Sequence, residues 1–264
     1  MVTGTSYLNL LKAAVAETDP IARYYYSQRD LPVAQKADMS PVTAADQEIE
    51  RTLMSFFHKH LPNAVILGEE YGQSGETLDT QRDRIRIIID PIDGTRNFIR
   101  GVPLVATLLA VECDGEIVAG LVSNPLQSEH WAAEKGAGAT YNDKPIYVSQ
   151  VATLAASQAF HGSLYGSETD GLPREQALAL LSQTQRQRGF GDFYGHILVA
   201  SGAGEFSFDV GFQPWDIAPL KIIVEEAGGM VTNFDGRFSV EAKSMICSNG
   251  RFHAQLVAAF KGSV

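Results

Sequence analysis

Along residues 6–28 the apolar positions Leu8, Leu10, Leu11, Ala14, Val15, Ile21 and Tyr25 recur at helical spacing, which predicts an opening amphipathic helix interrupted near Pro20. The polar connection 35–41 reads as a mobile loop. A second helix is predicted where Thr43-Ala44-Ala45-Asp46 forms a capping pattern and Ile49, Leu53, Phe56 and Phe57 share one face. Residues 64–67 form a short buried strand ending in Gly68-Glu69-Glu70, and the polar run 72–84 reads as a flexible loop. A β-branched run from Ile85 stops at Asp90, a strand that delivers acids to an edge. Residues 104–111 and 116–122 flank Asp114-Gly115, the clearest hairpin signal in the chain, and a strand near 129–133 continues an antiparallel meander.

From Val151 onward, helix and strand patterns alternate. Residues 174–185 are helical in composition, Phe190-Gly191-Asp192-Phe193 is a tight junction, 194–203 resembles a buried helix and 206–210 a strand. Trp215-Asp216 opens a helix with Ile217, Leu220, Ile223, Val224 and Ala227 on its apolar side, closed by Gly228-Gly229. Pro219 is expected in its first turn, where amides lack intrahelical partners. Two strands around Met230 and Met245, and a helix over about 250–260, complete the pattern.

Carboxylates stand at element ends in four places: Asp46, Glu69-Glu70, Asp90 with Asp93, and Asp216. Each has an ordinary local explanation, as a helix cap, a solvated loop acid or an Asx turn. Asp90-Pro91-Ile92-Asp93-Gly94-Thr95 offers more, because Pro91 fixes one φ, Gly94 permits a sharp turn, and two acids can converge beside free amides. A calcium-loop reading fails, since the twelfth residue from Asp90 is Gly101 rather than glutamate. An aspartyl-phosphate reading fails because the second aspartate follows at three residues, not two. Gly136 and Gly138 lack the third glycine and following helix of a dinucleotide fingerprint. Brought together, the acids would repel by several kcal/mol at intermediate dielectric unless cations sat among them. Carboxylates without a His/Cys pattern suit magnesium and substrate phosphate, which implies metal-assisted hydrolysis of a phosphate monoester.

Composition sharpens the exclusions. A formal charge of −10 and pI near 5.0 argue against nucleic-acid and anionic-membrane partners. Cys113 and Cys247 lie in apolar runs without C-x-x-C spacing and read as buried free thiols in a reducing compartment. Without a targeting pattern or an 18-residue apolar run, the expected location is cytoplasmic. At 264 residues the chain can bury a core as one large domain or two closely packed halves.

Gly68-Glu69-Glu70, Asp90-Pro91-Ile92-Asp93-Gly94-Thr95 and Trp215-Asp216-Ile217-Ala218, in that order, resemble the inositol monophosphatase superfamily of lithium-sensitive, magnesium-dependent phosphatases. The resemblance implies an α/β (α+β) fold, a layered αβαβα sandwich formed by a single domain over 1–264. Its α+β part would cover about 1–150 and its α/β part about 151–264. A homodimer with two or three Mg2+ ions is implied as well. Carried over, Glu69, Asp90, the Ile92 carbonyl, Asp93 and Asp216 would be metal ligands. Thr95 with Asp46 would orient the nucleophilic water, the Gly94 and Thr95 amides would hold phosphate, Glu70 would assist, and Lys36 would approach in its loop. Phe190-Gly191-Asp192-Phe193 and Arg100-Gly101-Val102-Pro103 are more similar to the histidinol-phosphate phosphatase branch, and so to histidine biosynthesis. Asp192 could pair with a substrate cation that inositol lacks, or serve only as a turn or cap. Asp209 stands where many members carry a substrate-contacting glutamate. An inositol or broad-specificity sugar-phosphate phosphatase is the alternative, and a non-catalytic binding protein on the same fold the reading from another class.

Overall fold

The computed structural model describes residues 6–28, 33–35, 41–75, 85–166 and 169–262. Helix α1 (Tyr7–Ser27) is capped by Ser6 and runs on through Pro20 without interruption. Pro20 and Ala16 both face solvent, so the carbonyl that loses its partner at the proline can be hydrated. Strands β1 (Val33–Gln35) and β2 (Pro41–Thr43) pair antiparallel at the ends of the connection read as a loop, and residues 36–40 lie outside the described ones. Thr43 and Asp46 form the expected capping box of α2 (Ala44–His60).

Strand β3 (Val65–Gly68) leads to β4 (Gly72–Ser74), a short strand in the segment expected to be loop, and then comes β5 (Ile85–Asp93). A short helix α3 (Thr95–Arg100) precedes the hairpin of β6 (Ala106–Cys113) and β7 (Glu116–Asn124). Asp114 and Gly115 at its turn have φ of 52° and 85°, as a primed two-residue turn requires. Strands β8 (Glu129–Glu134), β9 (Ala139–Tyr141) and β10 (Lys144–Ile146) finish an eight-stranded sheet of order β10-β9-β8-β7-β6-β5-β3-β4.

The second sheet begins with β11 (Gln158–His161) and continues after α4 (Arg174–Leu181) with β12 (Arg186–Gly189). Helix α4 stops short of residue 185 because the chain turns at Ser182 to enter β12, whose polar arginines occupy the sheet edge. Helix α5 (Asp192–Ala200), β13 (Phe206–Val210), α6 (Pro214–Glu226), β14 (Met230–Thr232), β15 (Ser244–Ser248) and α7 (His253–Phe260) follow, giving the order β12-β11-β13-β15-β14. Pro214 takes the first position of α6, so Pro219 falls in the second turn rather than the first. Gly120 on β7 accommodates it: a Cβ there would stand 2.9 Å from the Pro219 carbonyl and 2.6 Å from Ile222.

Three apolar clusters define the layers. Ile87 and Ile89 of β5 pack with Leu11, Ile49 and Phe57 beneath α1 and α2. Ile88 points the other way, into the core shared by α5, α6 and both sheets, with Trp131, Phe193, Ile217 and Leu220. Phe206, Phe208, Leu180 and Phe260 form the third core under α4 and α7. The result is the αβαβα sandwich expected from the resemblance. Cys113 and Cys247 are both free thiols.

Candidate active site

Strand β5 carries a local irregularity that makes the site. Asp90 faces Leu108 and Asp93 faces Ala106 on β6, so three steps on one strand match two on its neighbour. Without that bulge, alternation would send Asp90 and Asp93 to opposite faces. With it, Ile92 joins Ile87 and Ile89 beneath α2, while Asp90 and Asp93 both face the layer that holds α5 and α6. Pro91 lacks the amide that regular pairing would use. Its carbonyl instead accepts from the buried Thr107 hydroxyl at 2.8 Å.

Two helices then begin at this strand end. Asp216 is the third residue of α6, where its Oδ2 accepts from the Gln213 amide at 2.8 Å. The amide of Phe193, in the first turn of α5, donates to Asp93 Oδ2 at 2.7 Å. Ligand oxygens of Asp90, Asp93 and Asp216 consequently lie within 4.8 Å of one another. Asp46 and Asp216 keep the capping roles their local sequence suggests, so the cap and cluster readings are compatible.

Several of the remaining candidates lie around this trio. Glu69 pairs with Asp90 through a side-chain hydrogen bond. Glu70 follows in the turn after β3, with its amide donated to Glu50 at 2.8 Å. The Thr95 hydroxyl donates to the Ile92 carbonyl at 3.0 Å and reaches Asp46 Oδ1 at 3.4 Å. Gly94 has φ +81°, and a Cβ there would meet the Leu104 carbonyl at 3.0 Å. The start of α3 leaves amides without intrahelical acceptors beside the acids. Asp192, at φ +54°, accepts from Asn97 Nδ2 at 3.0 Å and bears electrostatically on Asp93 and Asp216. Asp209 stands apart from the trio, its carboxylate filling the space above Gly162 and adjoining Gly191 at the mouth of α5. Lys36 lies outside the described residues.

Glu50 was not singled out by the sequence reading. It is fully buried on α2, and its two oxygens accept the amides of Glu70 and Tyr71 at 2.8 and 2.9 Å. A Cβ on Gly68 would fall 2.0 Å from Glu50 Oε1, so glycine is required there. An acid on the same helical face as Ile49 and Leu53 was the available signal.

Electrostatics show what the cluster lacks. Burial first, then Glu69, Asp93 and Asp216, push the Asp90 carboxyl well above the usual range. Burial and then Asp192 do the same to Asp93. Burial raises Asp216 to about 7 against an opposing hydrogen bond from Gln213. Asp46 is also raised, chiefly by burial. Asp90 Oδ1 is buried without a hydrogen-bond partner among the described residues. Hard oxygen donors, crowded, buried and incompletely satisfied, fit a divalent cation of the magnesium type.

Comparison with known proteins is consistent with this chemistry. The sequence model of the Inositol monophosphatase family matches residues 5–264. A histidinol-phosphatase of Mycobacterium tuberculosis is 36% identical over 255 residues, covering 95% of this chain and 96% of that protein. The fructose-1,6-bisphosphatase/inositol-1-monophosphatase of Thermotoga maritima is 36% identical over 219 residues, covering 82% of this chain and 80% of its own length. In structure, the extragenic suppressor protein suhB from Bartonella henselae superposes with a TM-score of 0.89 at 29% identity, covering 98% of this chain and 100% of that one.

Proposed function

Because the chain belongs to the inositol monophosphatase family and is a hydrolase of phosphate monoesters, we propose that it hydrolyses L-histidinol phosphate to L-histidinol and phosphate with magnesium. The observation that carries the metal part is the convergence of Asp90, Asp93 and Asp216 on the inter-sheet face at the β5 bulge. In this reading Glu69, Asp90, the Ile92 carbonyl, Asp93 and Asp216 hold two or three Mg2+ ions. When bound, magnesium offsets phosphate charge and favours attack by water and departure of the alkoxide. Asp46 and Thr95 orient the water and take up its proton's hydrogen bond, since the Thr95 hydroxyl already lies between Asp46 and the Ile92 carbonyl. The amides of Gly94 and Thr95 bind phosphate oxygens. Glu70 assists from the adjoining turn.

Asp192 and Asp209 flank the mouth of α5, and Asp192 reads the cationic half of the substrate. Support for that substrate comes from the name of the Mycobacterium tuberculosis relative and from the negative charge placed beside Asp93. The likeness to the Thermotoga maritima phosphatase favours a second reading, a broader range that includes inositol and sugar phosphates. The protein would act as a cytoplasmic, lithium-sensitive homodimer in histidine biosynthesis, each subunit a single domain. No helix among the described residues is long and apolar enough to cross a membrane.

The test is kcat/KM for L-histidinol phosphate beside myo-inositol 1-phosphate and fructose 1,6-bisphosphate. A clear preference for histidinol phosphate supports the reading. Equal or reversed preference assigns the protein to the broader range, and no phosphate release from any of them returns it to a binding role.

A further inference from the structure

A cavity of about 370 Å³ lies between α1 and the far side of the eight-stranded sheet from the acid trio. Trp131 of β8 packs into the core shared with α5 and α6, so its strand neighbours His130 and Ala132 point the other way, toward α1. Lys12, Ala16, Asp19 and Arg23 follow one another at one-turn spacing along α1, and this stripe forms the opposite wall. The volume is that of a site for a small molecule.

The wall carries two charges of opposite sign, side by side. Asp19 is only 6% exposed; its Oδ1 accepts the Ser123 hydroxyl at 2.8 Å and its Oδ2 meets His130 Nε2 at 3.2 Å. A carboxylate offers about four lone-pair positions, so these two partners hold Asp19 in place and leave it able to accept another donor. Arg23, one turn further on, donates Nε to the Pro125 carbonyl at 2.9 Å, which fixes its guanidinium at the rim. Its terminal nitrogens make no hydrogen bond among the described residues, and the nearer stands 3.9 Å from Asp19 Oδ2, an ion pair beyond hydrogen-bond reach. At the other end Lys12 is engaged by Asp143. Val15, Ala16 and Ala132 supply an apolar surface between the two ends.

We infer that this cavity is a binding site for a free α-amino acid with an aliphatic side chain. Its ammonium and carboxylate, borne on one carbon, match Asp19 and the Arg23 fork, and its side chain lies along the apolar surface. A simple carboxylate would leave Asp19 facing a like charge, and a simple amine would leave the Arg23 fork unmatched. The experiment is titration calorimetry with three probes: L-leucine, L-leucinamide, which keeps only the positive charge, and 4-methylpentanoate, which keeps only the negative one. Expected is saturable binding of L-leucine with a Kd below about 1 mM, and binding of each single-charge probe weaker by about tenfold or more. Asp19→Asn and Arg23→Gln should each weaken L-leucine by a similar factor, and Ala16→Trp, which fills the cavity from a solvent-facing position, should abolish its binding. Asp93→Asn, across the sheet, should bind L-leucine as the native protein does. No saturable binding of L-leucine, equal affinity for either single-charge probe, or binding that survives Ala16→Trp but is lost in Asp93→Asn overturns the inference. Should Asp19→Asn fold poorly, Arg23→Gln and Ala16→Trp, both at exposed positions of α1, decide the matter alone.

Discussion

Replacing Asp216 by asparagine should make the metal-free protein more stable at pH 8 and leave it little changed at pH 4. The carboxyl of Asp216 rises from an ordinary 3.8 to about 7 in the folded state, chiefly through burial. Between those values the folded protein keeps a proton that the unfolded chain has released, so stability falls as pH rises through that window. A shift of about three pKa units at about 1.4 kcal/mol each gives an upper figure of about 4 kcal/mol. Asp216 retains some contact with solvent, which reduces the expected gain to about 2–4 kcal/mol. Asparagine keeps a side-chain oxygen to accept the Gln213 amide, so the cap of α6 is preserved. The buried His196, depressed to about 3, has the opposite sign, adding stability as pH rises toward 6.5. It is common to both proteins and cancels in the difference. Urea unfolding in EDTA at pH 4, 6 and 8 gives that difference directly. A variant less stable than the native protein at pH 8 in EDTA would refute the picture of crowded, uncompensated acids.

Other substitutions test the supports of the site. Glu50→Gln turns one of two accepting oxygens into a donor facing an amide, which should cost about 1–3 kcal/mol in urea unfolding and weaken magnesium binding by calorimetry. Thr107→Val keeps the shape of β6 but removes the hydroxyl that holds Pro91. About 1 kcal/mol of stability and part of kcat should be lost. Gly120→Val drives a side chain into Pro219 and Ile222, and an unfolding free energy lower by about 1–3 kcal/mol is expected, with reduced turnover because α6 carries Asp216.

What the sequence disclosed and what it hid follow from the range of the interactions. Helix α2 was readable because Thr43, Asp46 and the Ile49–Phe57 face are local signals, and the β6–β7 hairpin because Asp114-Gly115 can adopt positive φ. The acids were legible as element ends. The bulge that puts Asp90 and Asp93 on one face was not, since it is defined only by pairing with Leu108 and Ala106 on β6. Strand β12 escaped because Arg186-Gln187-Arg188 shows no apolar alternation, as suits an edge strand. Trp215-Asp216 marks the start of α6 one residue late, although Pro214 is the stronger mark of a first turn. Glu50 acts through backbone groups remote in sequence, which no single-segment pattern reveals.

The central claim is that Asp90, Asp93 and Asp216 form a magnesium site that hydrolyses phosphate monoesters. It is tested most directly by phosphate release from L-histidinol phosphate as Mg2+ is titrated into EDTA-stripped protein, with Asp93→Asn alongside. The account predicts no turnover without metal, saturable activation by magnesium in the native protein, and a folded Asp93→Asn variant that stays inactive. Full turnover in EDTA, or native rates in Asp93→Asn, would contradict it.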